Sequence, residues 1–385
     1  MNKQAFLKEL EQLTAALTEQ ERARLLEYYG EMIDDRMEEG LDEAEAVAAL
    51  GDAADIARQF APEARQSTPQ AANEAITALR RLRIRVANAD VRVVREPLEN
   101  GAAAQLRFSD PSRFEWHADG DALEVSELEE AGRSKRGFGF RELWRLLGSD
   151  GQRLTVALSD GLPGDLDHSS AGGNLTLEGV AIGGAARLHS ASGDFELKQA
   201  VCAGALEIVT QSGDLQLDGV SARSLSVQAT SGDINAASLS VEGAARTQTA
   251  SGDVELRAVK CGALSIICAS GDVEIDRGAA GSVTVRTASG DVRMDELEAD
   301  PRLSVQTASG DVELTRCIAR ETRLNTASGD VELRLEQLPC GYDIAANTRS
   351  GDISLPRDNV PAGDARPEIA VSTVSGDIDI SILGE

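Results

Sequence analysis

Residues 307–314 read TASGDVEL, and residues 326–333 read TASGDVEL again. The Ser-Gly-Asp at the centre of that octapeptide occurs ten times, with its serines at Ser192, Ser212, Ser231, Ser251, Ser270, Ser289, Ser309, Ser328, Ser350 and Ser375. The first eight are separated by steps of 20, 19, 20, 19, 19, 20 and 19 residues, and the last two steps lengthen to 22 and 25. Gly172-Gly173-Asn174 is an eroded further copy. Self-similarity at one period means a stack of equivalent coils. The most conspicuous residues therefore repeat for structural reasons, which argues against any single one being catalytic.

Counted from each serine, positions +3 and +5 are apolar, as in Phe195/Leu197, Leu215/Leu217, Val254/Leu256, Val273/Ile275, Val312/Leu314 and Val331/Leu333. Position −4 is apolar too: Ile208, Val227, Ile266, Val285, Val305, Leu324 and Val371. Alternation on both sides of the triplet predicts two short strands joined at Ser-Gly-Asp. A third apolar cluster near +13 to +15 leads into the next triplet. Glycine supplies the positive φ of a sharp corner, and Asp and Ser side chains can bond nearby backbone N–H groups. Position −2 carries Thr210, Thr249, Thr287, Thr307, Thr326, Thr348 and Thr373, with Ala229 and Cys268 as substitutes, which suggests a tight, largely buried site. The expected fold is mainly β: a single-stranded β-helix or β-solenoid with coils of about 19–20 residues, rising about 4.8 Å per coil, after a small all-α domain.

The triplet aspartates would stand in a row about 5 Å apart, where like charges repel unless screened or hydrogen-bonded. Position +4 adds Glu196, Glu255, Glu274, Glu313, Glu332 and Asp379. One resolution is structural Ca²⁺ along Asp253, Asp272, Asp291, Asp311 and Asp330. The blander one, turn-capping aspartates screened by salt, is favoured, because the calcium-binding nonapeptide repeat has a period of nine and denser glycines. No other cofactor is expected.

The repeats, spanning about residues 82–385, resemble the bacterial putative-adhesin family of β-strand repeats, a domain class of unknown function. The recurrent TASGDVEL carries the resemblance. The adhesin label would imply export and surface binding. The start MNKQAFLKEL lacks the apolar region of a signal peptide, and no run of 18 apolar residues is present, so a cytoplasmic protein without a transmembrane segment is expected.

Residues 2 to about 61 have a helical pattern. Phe6, Leu7, Leu10, Leu13 and Leu17 share one face. Thr18-Glu19-Gln20-Glu21 is a capping box for a second helix carrying Leu25, Leu26, Tyr29, Ile33 and Met37, which Gly40 can stop. Asp42 and Asp52 can cap two more helices, the last with Ile56 and Phe60. FLKELEQL, EYYGEMIDDRMEEGLDEAEAVAALG and DIARQF make this segment resemble the bacterial helix-turn-helix-associated alpha-helical signalling domain. That resemblance implies an interaction module that binds a protein partner, with Tyr28 and Tyr29 as candidate contacts. The domains are expected at 1–61 (helical), 62–78 (linker) and 79–385 (solenoid). Within the solenoid, 79–160 holds irregular first coils with an insert at 127–150, and 161–385 holds the repeats.

Residues 133–147, RSKRGFGFRELWRLL, form a basic, aromatic island in a chain of net charge −27. Arg136, Phe138, Phe140, Arg141 and Trp144 are candidates for docking to a partner or peripheral contact with a membrane surface. A helix folded over the solenoid end is the plainer alternative. The acidic balance argues against nucleic acid. Aromatics at 3% suit a thin, regular core of small aliphatics. The five cysteines form no CxxC pair, and Cys202 and Cys261, three coils apart, are too distant to bridge, so all five read as small buried hydrophobes in a reducing compartment.

A β-helix enzyme acting on carbohydrate needs a carboxylate cluster that breaks the repeat. Here nearly every notable carboxylate lies on a repeat register. His168 and His189, near Asp165 and Asp167, could make a weak metal site, but a surface histidine pair is the plainer reading. No catalytic residues are assigned. The leading expectation is a non-enzymatic scaffold or signalling protein with two binding faces. An adhesin-like surface binder and a carbohydrate-active enzyme are the alternatives.

Overall fold

The structure, a computed structural model, describes residues 2–14, 42–48, 76–128, 152–356 and 366–383, with isolated positions between 22 and 53. Two compact units result: residues 1–70 with 108–112 and 129–153, and the remainder.

In the first unit α1 (Lys3–Leu13) starts at Asn2, whose side chain accepts the Ala5 N–H. The Lys3 N–H donates to Glu43 Oε1 at the start of α2 (Glu43–Ala48), 2.9 Å away. Phe6, Leu10, Tyr29, Ile33, Ala46, Val47 and Ala53 form the core. The stripe runs Phe6, Leu10, Thr14, because Thr14 is buried and its hydroxyl donates to Leu10 O at 2.6 Å. Leu13, expected on that stripe, is exposed, as is Met37. The expected core positions Leu17, Leu25, Ile56 and Phe60 lie outside the described residues.

The second unit is the expected β-solenoid, and its coils have three sides. The first side precedes each triplet: β10 (Ala186–Ser192), β12 (Val201–Ser212), β14 (Ser221–Ser231), β16 (Ser240–Ser251), then β17 (Val254–Ser270), β18 (Val273–Ser289) and β19 (Val292–Ser309), followed by β21 (Glu321–Ser328). All pair parallel with Ser on Ser, for example Ser251↔Ser270 and Ser270↔Ser289. The second side follows the triplet, with +3 and +5 pointing inward: Val254, Leu256, Val273, Ile275, Val312 and Leu314 are all buried. The third side is short and pairs Cys202 with Ala222, Val241 with Cys261, and Ala280 with Ala299.

Two corners are invisible in the sequence period. The extra residue of each 20-residue coil is absorbed past the third side, where the register shifts between Cys202 and Ala205, Val241 and Ala244, and Ala280 and Ser282. At +7 the chain turns through the left-handed region whatever residue stands there: Gln199, Ser238, Ala258, Arg277, Glu296 and Arg316 have φ of 50–58°, and Gly179 and Gly219 have 65° and 64°. Non-glycine residues there carry about 1–2 kcal/mol of strain, against a glycine entropy cost of about 0.4–1 kcal/mol. Ala258 is exposed. Ala258→Gly should therefore stabilise the protein by about 0.5–1 kcal/mol, read as a higher midpoint in urea.

At both ends spatial order departs from chain order. The strands expected from Ile84 to Val94 are β1 (Arg81–Val86) and β2 (Asp90–Arg95). Those expected at 104–108, 113–117, 122–126 and 153–158 are β3 (Ala104–Phe108), β4 (Phe114–Asp119), β5 (Ala122–Glu127) and β6 (Arg153–Leu158). β1 is not an outermost strand: it lies between β5 and β7 (Leu166–Ser170), and β4 runs antiparallel along β5. At the other end β25 (Glu368–Ser375) lies between β21 and β23 (Asp343–Ser350), and β26 (Ile378–Ile382) lies between β22 (Val331–Leu335) and β24 (Ile353–Ser354). Among the described residues the last coil in sequence, 375–383, is thus an inner coil, and the coil before it in sequence stands outermost.

Candidate functional site

The triplet aspartates resolve their own repulsion through the backbone. Each Oδ1 accepts the N–H of the equivalent residue one coil along, from Asp90 through Asn174, Asp194, Asp214, Asp233, Asp253, Asp272, Asp291, Asp311 and Asp330 to Asp377 and Asp352, at 2.7–3.0 Å. A carboxylate bound to an amide is a charge-assisted acceptor. One oxygen of each candidate calcium ligand points along the stack. Among the described residues no group of three or more His, Cys, Asp or Glu is arranged to hold a metal ion. Asn174 fills one rung with an amide oxygen, so acceptor geometry and not charge is what the rung needs. Asp272→Asn should change stability by under about 0.5 kcal/mol, and Asp272→Ala should cost about 1–2 kcal/mol. Thermal melts of the two variants check this.

Position +4 lies beside the row. A groove of about 330 Å³ is lined by Asp233, Asp253, Asp272, Asp291, Glu255, Glu274 and Arg293. Basic side chains partly neutralise this side: Lys198 on Glu196 at 2.5 Å, Arg293 on Glu313 at 2.9 Å, Arg334 on Glu332 at 2.6 Å, and Arg257 on Glu255. These pairs are half-exposed and contribute little individually.

The first side is chemically different. A shallow groove of about 610 Å³ crosses five coils there. Two rows line it, Val209, Gln228, Gln248, Ile267 and Arg286 at position −3, and Gln211, Thr230, Ala250, Ala269 and Ala288 at −1. Strand alternation sends both rows outward while −4 and −2 turn inward. Most of the −2 threonines are buried as expected: Thr210, Thr249 and Thr373 are 2% exposed, and Thr287 and Thr307 are 7%, whereas Thr348 is only half-buried. Thr249 donates to Ser251 O at 3.1 Å, whereas the hydroxyls of Thr210, Thr287, Thr307 and Thr326 have no protein partner.

The histidines do not meet. His168 and His189 sit on adjacent coils, but His168 pairs in register with Ile84 and Leu188 and points into the core, while His189 points outward. Neither a metal pair nor a surface pair forms. Burial, with a smaller contribution from His189, pulls the His168 pKa down to about 4. Both ring nitrogens lack a protein partner, and Phe195 meets the ring edge-on at 6.3 Å between centroids.

Of the candidate partner contacts, Tyr29 is 7% exposed and packs edge-on against Phe6, so it is a core residue and presents no free surface. Tyr28, Arg136, Phe138, Phe140, Arg141 and Trp144 lie outside the described residues. Of the cysteines, Cys202, Cys261 and Cys268 are buried, and burial pushes the Cys261 thiol up to about 11 and that of half-buried Cys317 to about 12. Cys340, expected buried, is exposed. All five are free thiols. No helix of the described residues is long and apolar enough to cross a membrane.

The family profile of Toastrack DUF4097 matches residues 79–249 and 243–381. The HAAS profile matches residues 5–59. Solved structures with detectable similarity include a putative adhesin from Bacteroides fragilis, 11% identical, covering 69% of this chain and 97% of that one, with a TM-score of 0.30. Another is a putative cell adhesion protein from Clostridium sporogenes, 9% identical, covering 81% of this chain and 98% of that one, with a TM-score of 0.16. No curated protein matches the chain.

Proposed function

The chain belongs to the Toastrack DUF4097 family and carries an N-terminal HAAS domain, and we propose that it is a non-enzymatic scaffold. In this reading the HAAS domain binds a protein partner and the solenoid offers its first side to a second one. The observation that carries the reading is the division of labour between the two sides of each corner. The repeat carboxylates are engaged along the stack, which leaves them poorly placed for acid–base work. The first side next to them is regular, uncharged over most of its rows and open, a surface suited to an extended polypeptide laid across the coils. Five unpaired thiols are consistent with a partner met inside the cell. The basic aromatic stretch 133–147 supplies a further contact, to the partner or to an anionic surface.

A photo-crosslinking amino acid placed in the full chain tests this. At Gln228, Gln248 or Gln306 it should yield discrete protein adducts in cells, and at Glu255 or Glu274 it should yield none. Adducts confined to the acidic side, or absent from the first side altogether, would contradict the reading.

A further inference from the structure

We infer that the outermost coil is a self-association edge, at which two copies of this chain join through antiparallel pairing of β23 with itself. The coil is open on its outer side. Ile353 and Leu355 occupy the inward positions +3 and +5, yet both are 43% exposed, whereas Ile378 and Ile380, the same positions one coil inward, are 1% exposed. Along β23, Ile344 and Ala346 are only half-buried, against 3% and 2% exposure for their partners Ile369 and Val371.

The backbone is open as well. The Asp343 N–H donates to Pro367 O, so the odd-numbered residues of β23 turn their amides and carbonyls toward β25. Ile344, Ala346 and Thr348 turn theirs to the opposite edge, where no strand pairs among the described residues. A strand of this kind, with no lysine or proline to block it, is a template for another strand.

The sequence of β23, DIAANTRS, names a second copy as the occupant. Antiparallel to itself and centred on Ala346, it aligns Ile344 with Thr348 and Ala345 with Asn347. The residues that then exchange N–H and C=O groups are Ile344, Ala346 and Thr348, the three whose groups no strand takes up among the described residues. The same register sets Asp343 opposite Arg349 at both ends of the pairing, in the non-hydrogen-bonded positions where side chains come closest. Both side chains are exposed, and neither takes part in an ion pair among the described residues. The contact is isologous and closes as a two-fold dimer, so it does not propagate into a fibre. Repulsion between two chains of net charge −27 is screened at about 0.15 M ionic strength, where the Debye length is about 8 Å.

Sedimentation velocity of the full chain from about 1 to about 100 µM at that ionic strength should show a monomer–dimer equilibrium. Arg349→Asp and Asp343→Arg should each weaken it by about tenfold or more, and the double reversal D343R/R349D should return it to within about threefold of the native chain. Both side chains are exposed, so melting temperatures should stay unchanged and separate lost association from lost folding. A chain that stays monomeric throughout overturns the inference. A dimer that neither reversal weakens overturns it too, and places self-association elsewhere.

Discussion

Gly271→Ala should cost the solenoid about 2–6 kcal/mol, from backbone strain and steric overlap together. Gly271 has φ +136°, in a region that side chains rarely adopt, at about 1–3 kcal/mol for a residue forced there. A Cβ at that position would also run into the carbonyl oxygen of Gly252, one coil away. That oxygen belongs to the corner and cannot withdraw without breaking the register of its neighbours, so the overpacking adds about 1–3 kcal/mol. Gly120 is the control. It too has a positive φ, +61°, but a Cβ there meets nothing within 4 Å, and Gly120→Ala should cost only about 1–2 kcal/mol. Urea unfolding of the two variants separates backbone strain from coil-to-coil contact. Equal losses would mean that the close stacking of corners adds nothing.

His168→Leu should abolish a loss of stability on acidification worth about 3 kcal/mol. The folded protein holds His168 near 4, while an unfolded chain titrates near 6.5. The unfolded state therefore binds the proton first. The histidine costs no pH-dependent stability above about pH 6.5, an increasing amount as pH falls toward 4, and a constant amount below that, with about 1.4 kcal/mol lost over each pH unit between the two values. The ring stands in the core between Ile84 and Leu188, where neighbouring coils carry aliphatic residues such as Ile208. Leucine suits that place and removes two buried nitrogens that have no protein partner. The carboxylates are common to both proteins, so the difference between the two stability curves isolates the histidine. Parallel curves from pH 7 to pH 4 would contradict the account.

The repeat arithmetic is enough for the coil, its inward positions and its first corner, because a 19–20-residue period locks Ser onto Ser. It says little about what varies between coils. The left-handed corner at +7 is hidden because Gln199, Ala258, Arg316 and Gly219 share a backbone shape and no side-chain chemistry. The exchanged coils at both ends are hidden because neither β1 nor β25 differs in pattern from its neighbours. The only hint is the lengthening of the last two steps, which makes room for the chain to double back. The row of aspartates is legible as a row and illegible as a ladder, since sequence does not say which oxygen meets which amide. Tyr29, a candidate contact by its sequence, is a core residue because helical spacing places it on the same stripe as Ile33, and that stripe faces inward.

The central claim is that the triplets are corners stitched coil to coil by their aspartates. Amide hydrogen exchange of the intact protein measures this directly. The N–H groups of Asp253, Asp272, Asp291 and Asp311 lie at an exposed edge, yet each is bound by the aspartate one coil before it. They should exchange as slowly as those of Val254 and Val273 in the adjoining strands, through the same opening that unfolds the coil. Exchange of the aspartate amides at the rate of an open loop, with the valines still protected, would contradict the ladder.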